Sequence, residues 1–273
     1  MNTAPSEEIL WRHLRDLPYF RAMVRAVEDS FYQGLDLPAP VLDLGCGDGH
    51  FTSVAFDHPL DVGLDPWWDP LLEARTRDAY RMLLRSDGAK IPFPDHSFAT
   101  VVSNSVLEHI PHLDKVLDEV SRVIRPGGQF IFCVPNHRFP KYLLGTQTFS
   151  RLGLKSAADW YSRFFNRISR HQHTDSFTVW KERMNRTGFT IEKHWDYFPA
   201  DALHRMEVGH VFGLPSLVSK KITGRWVLSR SRANLWLPWR ITRDVFHNPI
   251  TPEGVYSFYI TRRNSTPAIR PVE

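Results

Sequence analysis

A doubly wound α/β fold around a parallel sheet is what this sequence predicts, and three observations carry the prediction. An apolar strand signal, Val41-Leu-Asp-Leu44, runs into a turn with glycine at positions 45, 47 and 49. A second apolar run, Leu60 to Leu64, ends in an acid, Asp65, sixteen residues past Gly49. Strand-like and helix-like segments then alternate as far as Val134, the pattern of helices laid on both faces of a parallel sheet.

Pro38 and Pro40 bring the chain out of a loop into the first strand, where Val41, Leu42 and Leu44 suit burial on both faces. Gly45, Gly47 and Gly49 leave no Cβ across the turn, so the backbone can take positive φ and a ligand can approach closely. Phe51 to Phe56 reads as the start of a helix whose N-terminal amides face the same crevice. An acid at the end of the second strand is placed to accept hydrogen bonds from vicinal ribose hydroxyls. A bare structural turn needing small residues would also explain the glycines. A dinucleotide turn would read G-x-G-x-x-G, whereas this one reads Asp43-x-Gly45-x-Gly47-x-Gly49.

Further motifs follow in order. Arg85-Ser-Asp87-Gly88-Ala89 precedes the turn Ile91-Pro-Phe-Pro-Asp95 and an apolar strand at Ala99 to Ser103, after which comes Asn104-Ser-Val-Leu-Glu108-His109-Ile-Pro. Asp114 to Val123 is an amphipathic helix, with Val116, Leu117, Val120 and Val123 at helical spacing. Arg125-Pro-Gly-Gly128 stops it, and Gln129 to Val134 supplies a fifth strand. Together these motifs resemble the class I S-adenosylmethionine (SAM) dependent methyltransferases that act on quinones, lipids and other small molecules. The resemblance covers residues 38 to 136. It implies a seven-stranded Rossmann-like sheet with an antiparallel last strand, and SAM as cofactor. It assigns the turn Asp43, Gly45, Cys46, Gly47 and Gly49 to the methionine end, and Asp65 with Pro66 to the ribose. Asp87 falls to the adenine amino group, Gly88 and Ala89 to its ring, and Asn104 and Ser105 to the loop lining the transfer site.

The rest of the chain divides around that core. Residues 1–37 read as an N-terminal helical cap, 38–198 as the SAM-binding core with a lid element at 139–169, and 199–254 as an insertion or lid. Residues 255–263 read as the final strand and 264–273 as a flexible tail. Trp180 to Thr187 is a late helix, and Phe189 to Phe198 an edge strand. Its expected antiparallel partner, Val255 to Ile260, is delayed by the insertion. Residues 1 to 136 carry 12 Lys or Arg against 20 Asp or Glu, and residues 137 to 273 carry 22 against 10, so the basic character lies in the second half. Trp226, Trp236 and Trp239 among arginines fit either a packed lid with outward-reaching cations or a surface docked on an anionic membrane.

Both lid segments are rich in apolar and aromatic residues, which favours a small hydrophobic or lipid-like acceptor. No zinc motif, KH-type loop or RNP-type sequence points to nucleic acid. The two cysteines, Cys46 and Cys133, fall at strands that the usual order separates by an intervening strand, which argues against a disulfide. With no signal-peptide pattern and no apolar run of membrane-span length, the expected location is cytoplasmic, or peripheral to the inner face of the membrane.

A sulfonium methyl is already activated, so the protein's task is to align a nucleophile and exclude water. Where the acceptor is a hydroxyl or an acidic carbon, a histidine can take its proton. His109 leads as that base, with His171 and His173 as further candidates. No metal is expected, because no acidic or cysteine partner stands at suitable ligand spacing near the His-Gln-His pair. O- or C-methylation is the expected activity. A non-catalytic SAM-fold or membrane-associated binding protein, and an NAD-dependent oxidoreductase, stay open as alternatives.

Overall fold

The computed structural model describes residues 6–265. Helices α1 (Glu7–Asp16) and α2 (Tyr19–Tyr32) precede strand β1 (Val41–Leu44), helix α3 (His50–Ala55), β2 (Leu60–Asp65), α4 (Trp68–Ala74), β3 (Tyr80–Arg85) and β4 (Phe98–Asn104). Next come α5 (Leu113–Val123), β5 (Ile124–Pro135), α6 (Phe139–Tyr142), α7 (Leu144–Arg151), α8 (Lys155–Ile168), α9 (Phe177–Arg186) and β6 (Phe189–Tyr197). The chain closes with α10 (Ala200–Phe212), α11 (Leu214–Thr223), α12 (Trp236–His247) and β7 (Tyr256–Arg263). It divides into two compact units. One joins residues 1–35, 138–168 and 196–255, and the other joins 36–137, 169–195 and 256–273.

The second unit holds a seven-stranded sheet in the order β3-β2-β1-β4-β5-β7-β6. β1 to β5 run parallel, and β7 lies antiparallel to β5, pairing from Gln129↔Arg262 to Pro135↔Tyr256. Full burial explains the apolar runs: Val41, Leu42, Leu44, Val101 and Val102 all sit in the core. α5 lays Val116, Leu117, Val120 and Val123 on it, and α9 adds Trp180, whose ring centroid is 4.8 Å from that of Phe132. The Arg125-Pro-Gly-Gly128 stop falls inside the span of β5. There the pairing with β4 jumps from Phe98↔Ile124 to Thr100↔Gln129, so these four residues bulge out of the ladder opposite Ala99. With β4 between β1 and β5, Cys46 and Cys133 stand on either side of an intervening strand, and both are free thiols.

The helical unit gathers three segments that read as separate in the sequence. Glu207 of α10 is buried, and its carboxylate accepts from Leu144 N at 2.6 Å, Gly145 N at 3.0 Å and Tyr161 Oη at 2.5 Å. A buried carboxylate lacking such donors would cost several kcal/mol, so this one residue fixes the 138–168 segment to the 196–255 segment. The N-terminal helices join through Tyr197, whose hydroxyl donates to Glu28 at 3.0 Å, and through Trp11, stacked on Trp239 at 5.7 Å. Pro18 lacks a backbone N–H and separates α1 from α2 within the N-terminal helical cap.

The tryptophans of the insertion divide between the two readings. Trp239 is partly covered, with Trp11 stacked on it and the Arg243 guanidinium 4.8 Å from its centroid, and Trp226 lies under Arg21, whereas Trp236 is 54% exposed. The tail read as flexible at 264–273 lies outside the described residues from 266 onward, but Asn264 is anchored. Its N–H donates to Gly188 O at 2.9 Å, and its Oδ1 accepts from Thr190.

Candidate active site

The sheet unit places the glycine turn at the C-terminal end of β1. Gly45, Gly47 and Gly49 all take left-handed φ, of 80°, 53° and 69°. The backbone N–H groups of Gly45 and Cys46 both donate to Leu64 O, at 2.8 and 3.1 Å, which latches the turn onto the end of β2. A Cβ at Gly45 would lie 2.3 Å from Val106 Cγ1, whereas a Cβ at Gly47 would meet nothing within 4 Å. One glycine is required by the protein's own packing. The other faces open space.

Asp43 is buried, and its Oδ2 accepts from Thr52 Oγ1 at 2.7 Å and from the Tyr80 hydroxyl at 2.5 Å. Burial, and then the neighbouring Asp43 carboxylate, push the Tyr80 pKa well above its ordinary value, so its hydroxyl remains a donor. In this arrangement Asp43 braces the turn against β3. Asp65, at the end of β2, accepts from Trp67 N on Oδ1 at 2.9 Å and from Gly47 N on Oδ2 at 3.0 Å. Burial raises its pKa, and the two N–H bonds partly offset that rise. Each oxygen keeps acceptor capacity for a hydroxyl, which a vicinal diol can use. Pro66 turns the chain away, its carbonyl accepting from Arg85 Nε at 3.2 Å.

Asp87 is exposed and accepts from Ala89 N at 2.9 Å, with His112 Nε2 3.3 Å away. The Ala89 N–H and then His112 hold its carboxyl below the usual carboxylate range. Gly88 fits tightly, since a Cβ there would come within 3.1 Å of Leu44 Cδ1 and 3.2 Å of Val116 Cγ1. The loop that follows is clamped by Arg122, whose guanidinium donates to the carbonyls of Ile91 and Phe93 and to the carboxylates of Asp95 and Glu119.

The chain leaves β4 through Asn104 and Ser105. Asn104 Oδ1 accepts from the Cys133 thiol, and Ser105 takes φ 53°, a strained value for a residue with a side chain. Its N–H donates to Cys133 O at 3.1 Å. Val106 then packs against Gly45, and a single 3-10 turn, Leu107–His109, carries Glu108 and His109. His109 Nδ1 lies 3.1 Å from Arg170 O. A carbonyl only accepts, so Nδ1 carries the proton of the neutral ring and Nε2, 3.7 Å from Glu108 Oε1, is its basic nitrogen. The His171 ring is 5.5 Å from that of His109. The loop bearing His171 is held by two backbone bonds, from Gln172 N and His173 N to Glu108 O at 2.7 and 3.1 Å.

His173 is placed differently from the other two histidines. Its Nε2 donates to Ile110 O at 3.0 Å, and its Nδ1 side faces Asp175. It secures the loop, and the cluster is Glu108, His109 and His171. The sequence reading passed over Glu108, Thr52, Tyr80 and His112. For Glu108 the available signal was its place beside His109. For Tyr80 and Thr52 there was none, since only the fold brings them to Asp43.

Residues 42–132 match the family described as "Methyltransferase domain". Over these residues the chain is similar to methyltransferase domains. A probable S-adenosylmethionine-dependent methyltransferase of Mycolicibacterium smegmatis is 34% identical over 134 residues, 48% of this chain and 48% of that protein. A fatty-acid O-methyltransferase of the same organism is 33% identical over 104 residues, 36% of this chain and 38% of its own length. The chain therefore spans about half the length, or less, of these curated relatives. Among solved structures, a SAM-dependent methyltransferase of Thermotoga maritima, described as a possible histamine N-methyltransferase, shares the fold with a TM-score of 0.55, 14% identity and 91% coverage of both chains. SAM is the cofactor named for the M. smegmatis relative and for the T. maritima neighbour. The three left-handed glycines, the open space over Gly47 and the double acceptor Asp65 fit it.

Proposed function

We propose that this chain transfers the methyl group of SAM to an oxygen, or an acidic carbon, of a small hydrophobic or lipid-like acceptor. The observation that carries the reading is the group of Glu108 and His109, on the turn after β4, with His171 beside them, where Val106, just before that turn, packs against Gly45 of the glycine turn. Bound SAM supplies an electrophilic sulfonium methyl, so no residue has to activate the leaving group. Asp65 then holds the ribose diol, Asp87 with Gly88 and Ala89 receives the adenine, and the 45–49 turn takes the methionine end. Asn104 and Ser105 line the path of the methyl. The Glu108–His109–His171 group takes charge of the acceptor's proton, which an O- or C-nucleophile must lose and a neutral amine need not. The similarity to a fatty-acid O-methyltransferase favours an apolar acceptor.

Incubation with methyl-labelled SAM and extracts of lipids and small molecules tests the reading. The expected product is an organic-extractable methyl ether, ester or C-methyl compound. SAM binding with no transfer to any fraction would favour a non-catalytic binding protein, and preference for NADH would remove the cofactor assignment.

A specific observation favours a second component, docking to an anionic membrane. Between Glu207 and Asp244 the chain carries seven Lys or Arg and no carboxylate. The same stretch exposes Val218, Ile222, Leu228, Trp236 and Leu237. Among the described residues no helix is long and apolar enough to cross a membrane. Co-sedimentation with anionic vesicles but not neutral ones is expected, falling in Trp236→Ala and with rising salt. Equal binding to both vesicle types would remove the electrostatic part.

A further inference from the structure

One ligand atom from each of Glu108, His109 and His171 lies within 4.8 Å of the others. Two imidazoles and one carboxylate form the donor set of a borderline divalent transition ion, and three ligands leave coordination positions open. Bonds of about 2.0–2.2 Å place neighbouring ligand atoms roughly 3–3.5 Å apart. Closing from the observed spacing therefore takes an inward movement of about an ångström, within reach of side-chain rotation.

The surroundings fit a ligand set. The Arg170 carbonyl holds the proton on His109 Nδ1 and turns Nε2 toward Glu108, the outer arrangement that orients metal-binding histidines. Glu108 is only 2% exposed, a position where the attraction between a carboxylate and a cation is screened less than at the surface. Two backbone bonds to the Glu108 carbonyl fix the loop of His171 against the turn of His109, so the backbone that carries the three donors is held together before any ion arrives. The expectation of no metal rests on the lack of an acidic partner at ligand spacing from the His-Gln-His pair in sequence. The fold brings that partner from 63 positions upstream.

We infer that Glu108, His109 and His171 bind one divalent transition ion of the zinc or manganese kind, and that an open position receives the acceptor's oxygen. The second half of this statement rests on the methyl-transfer reading above. An acceptor hydroxyl bound to the ion sheds its proton to solvent more readily. The resulting oxygen lone pair forms the new O–CH3 bond, and the electrons of the broken C–S bond return to sulfur, which passes from sulfonium to thioether. No oxidant or reductant enters.

The test uses tag-free full-length chain, stripped with chelator and titrated separately with Zn2+ and Mn2+ by calorimetry. Metal content is read by mass spectrometry after gel filtration. About one equivalent is expected for wild type and for His58→Ala, which removes an exposed histidine outside the cluster. Affinity is expected to fall roughly a hundredfold or more in His171→Ala and Glu108→Gln. SAM affinity measured on the same samples is expected to stay unchanged in His171→Ala, which separates loss of a ligand from loss of the fold. Absence of saturable metal binding, or equal binding in wild type and His171→Ala, overturns the ion site. SAM binding that persists in that case leaves the methyl-transfer reading standing, whereas metal binding without SAM binding removes that reading and keeps the ion.

Discussion

Gly45→Ala is expected to lower stability by about 3 kcal/mol and to weaken SAM binding by more than about a hundredfold. Two costs add at this position. A left-handed alanine costs roughly 1–2 kcal/mol, and its Cβ would stand 2.3 Å from Val106 Cγ1 and 2.6 Å from Val106 Cγ2, an overlap worth about another 1–3 kcal/mol. Relief would require Val106 to move, and with it the turn that carries Glu108 and His109. Gly47→Ala is the informative partner. Its φ is also positive, at 53°, but its Cβ would meet nothing within 4 Å, so only the left-handed strain of about 1–2 kcal/mol applies. Denaturant unfolding should therefore separate the two variants, while calorimetry with SAM should show both impaired. Equal stability of the two would mean that the close approach at Gly45 does not limit the turn.

Asp65→Ala is expected to reduce SAM affinity by at least about a hundredfold. Hydrogen bonds to a charged acceptor contribute roughly 1.5–3 kcal/mol each, and two ribose hydroxyls lose theirs together. The substitution also strips the acceptors from Gly47 N and Trp67 N, loosening the turn that the carboxylate now holds on both oxygens. Asp65→Asn keeps one acceptor oxygen of similar shape and should fall between wild type and alanine. Calorimetric titration decides the matter. Affinity in Asp65→Ala within about twofold of wild type would place the ribose elsewhere.

Both predictions rest on residues that the sequence alone makes legible. Gly45 and Asp65 could be read because a strand, a turn needing positive φ and a second strand ending in an acid lie close together in sequence, and local spacing encodes them. β3 was not read. Tyr80-Arg-Met-Leu-Leu-Arg85 is an edge strand with Arg81, Met82 and Arg85 exposed, so it shows neither a continuous apolar run nor clean alternation. The bracing of Asp43 was hidden for the same reason, since its partner Tyr80 lies on that strand 37 residues away. His109 and His171 are both legible as candidates facing one cleft, but Glu108 is not. Glu108 completes that group through the fold, and no periodicity connects residues so far apart. The division of the helical segments was likewise beyond reach, because the buried carboxylate of Glu207 joins them by accepting from backbone N–H groups, which every sequence possesses.

Cys46 is a free thiol in the loop assigned to the methionine end of a potent alkylating agent. Burial, and then the carboxylates of Asp43 and Asp65, drive its pKa far above the ordinary thiol value. The thiolate is the form that attacks an electrophilic carbon, and that form is suppressed here at any physiological pH. The same acids that brace the turn thus keep this thiol protonated, and under the methyl-transfer proposal they guard it against the sulfonium beside it.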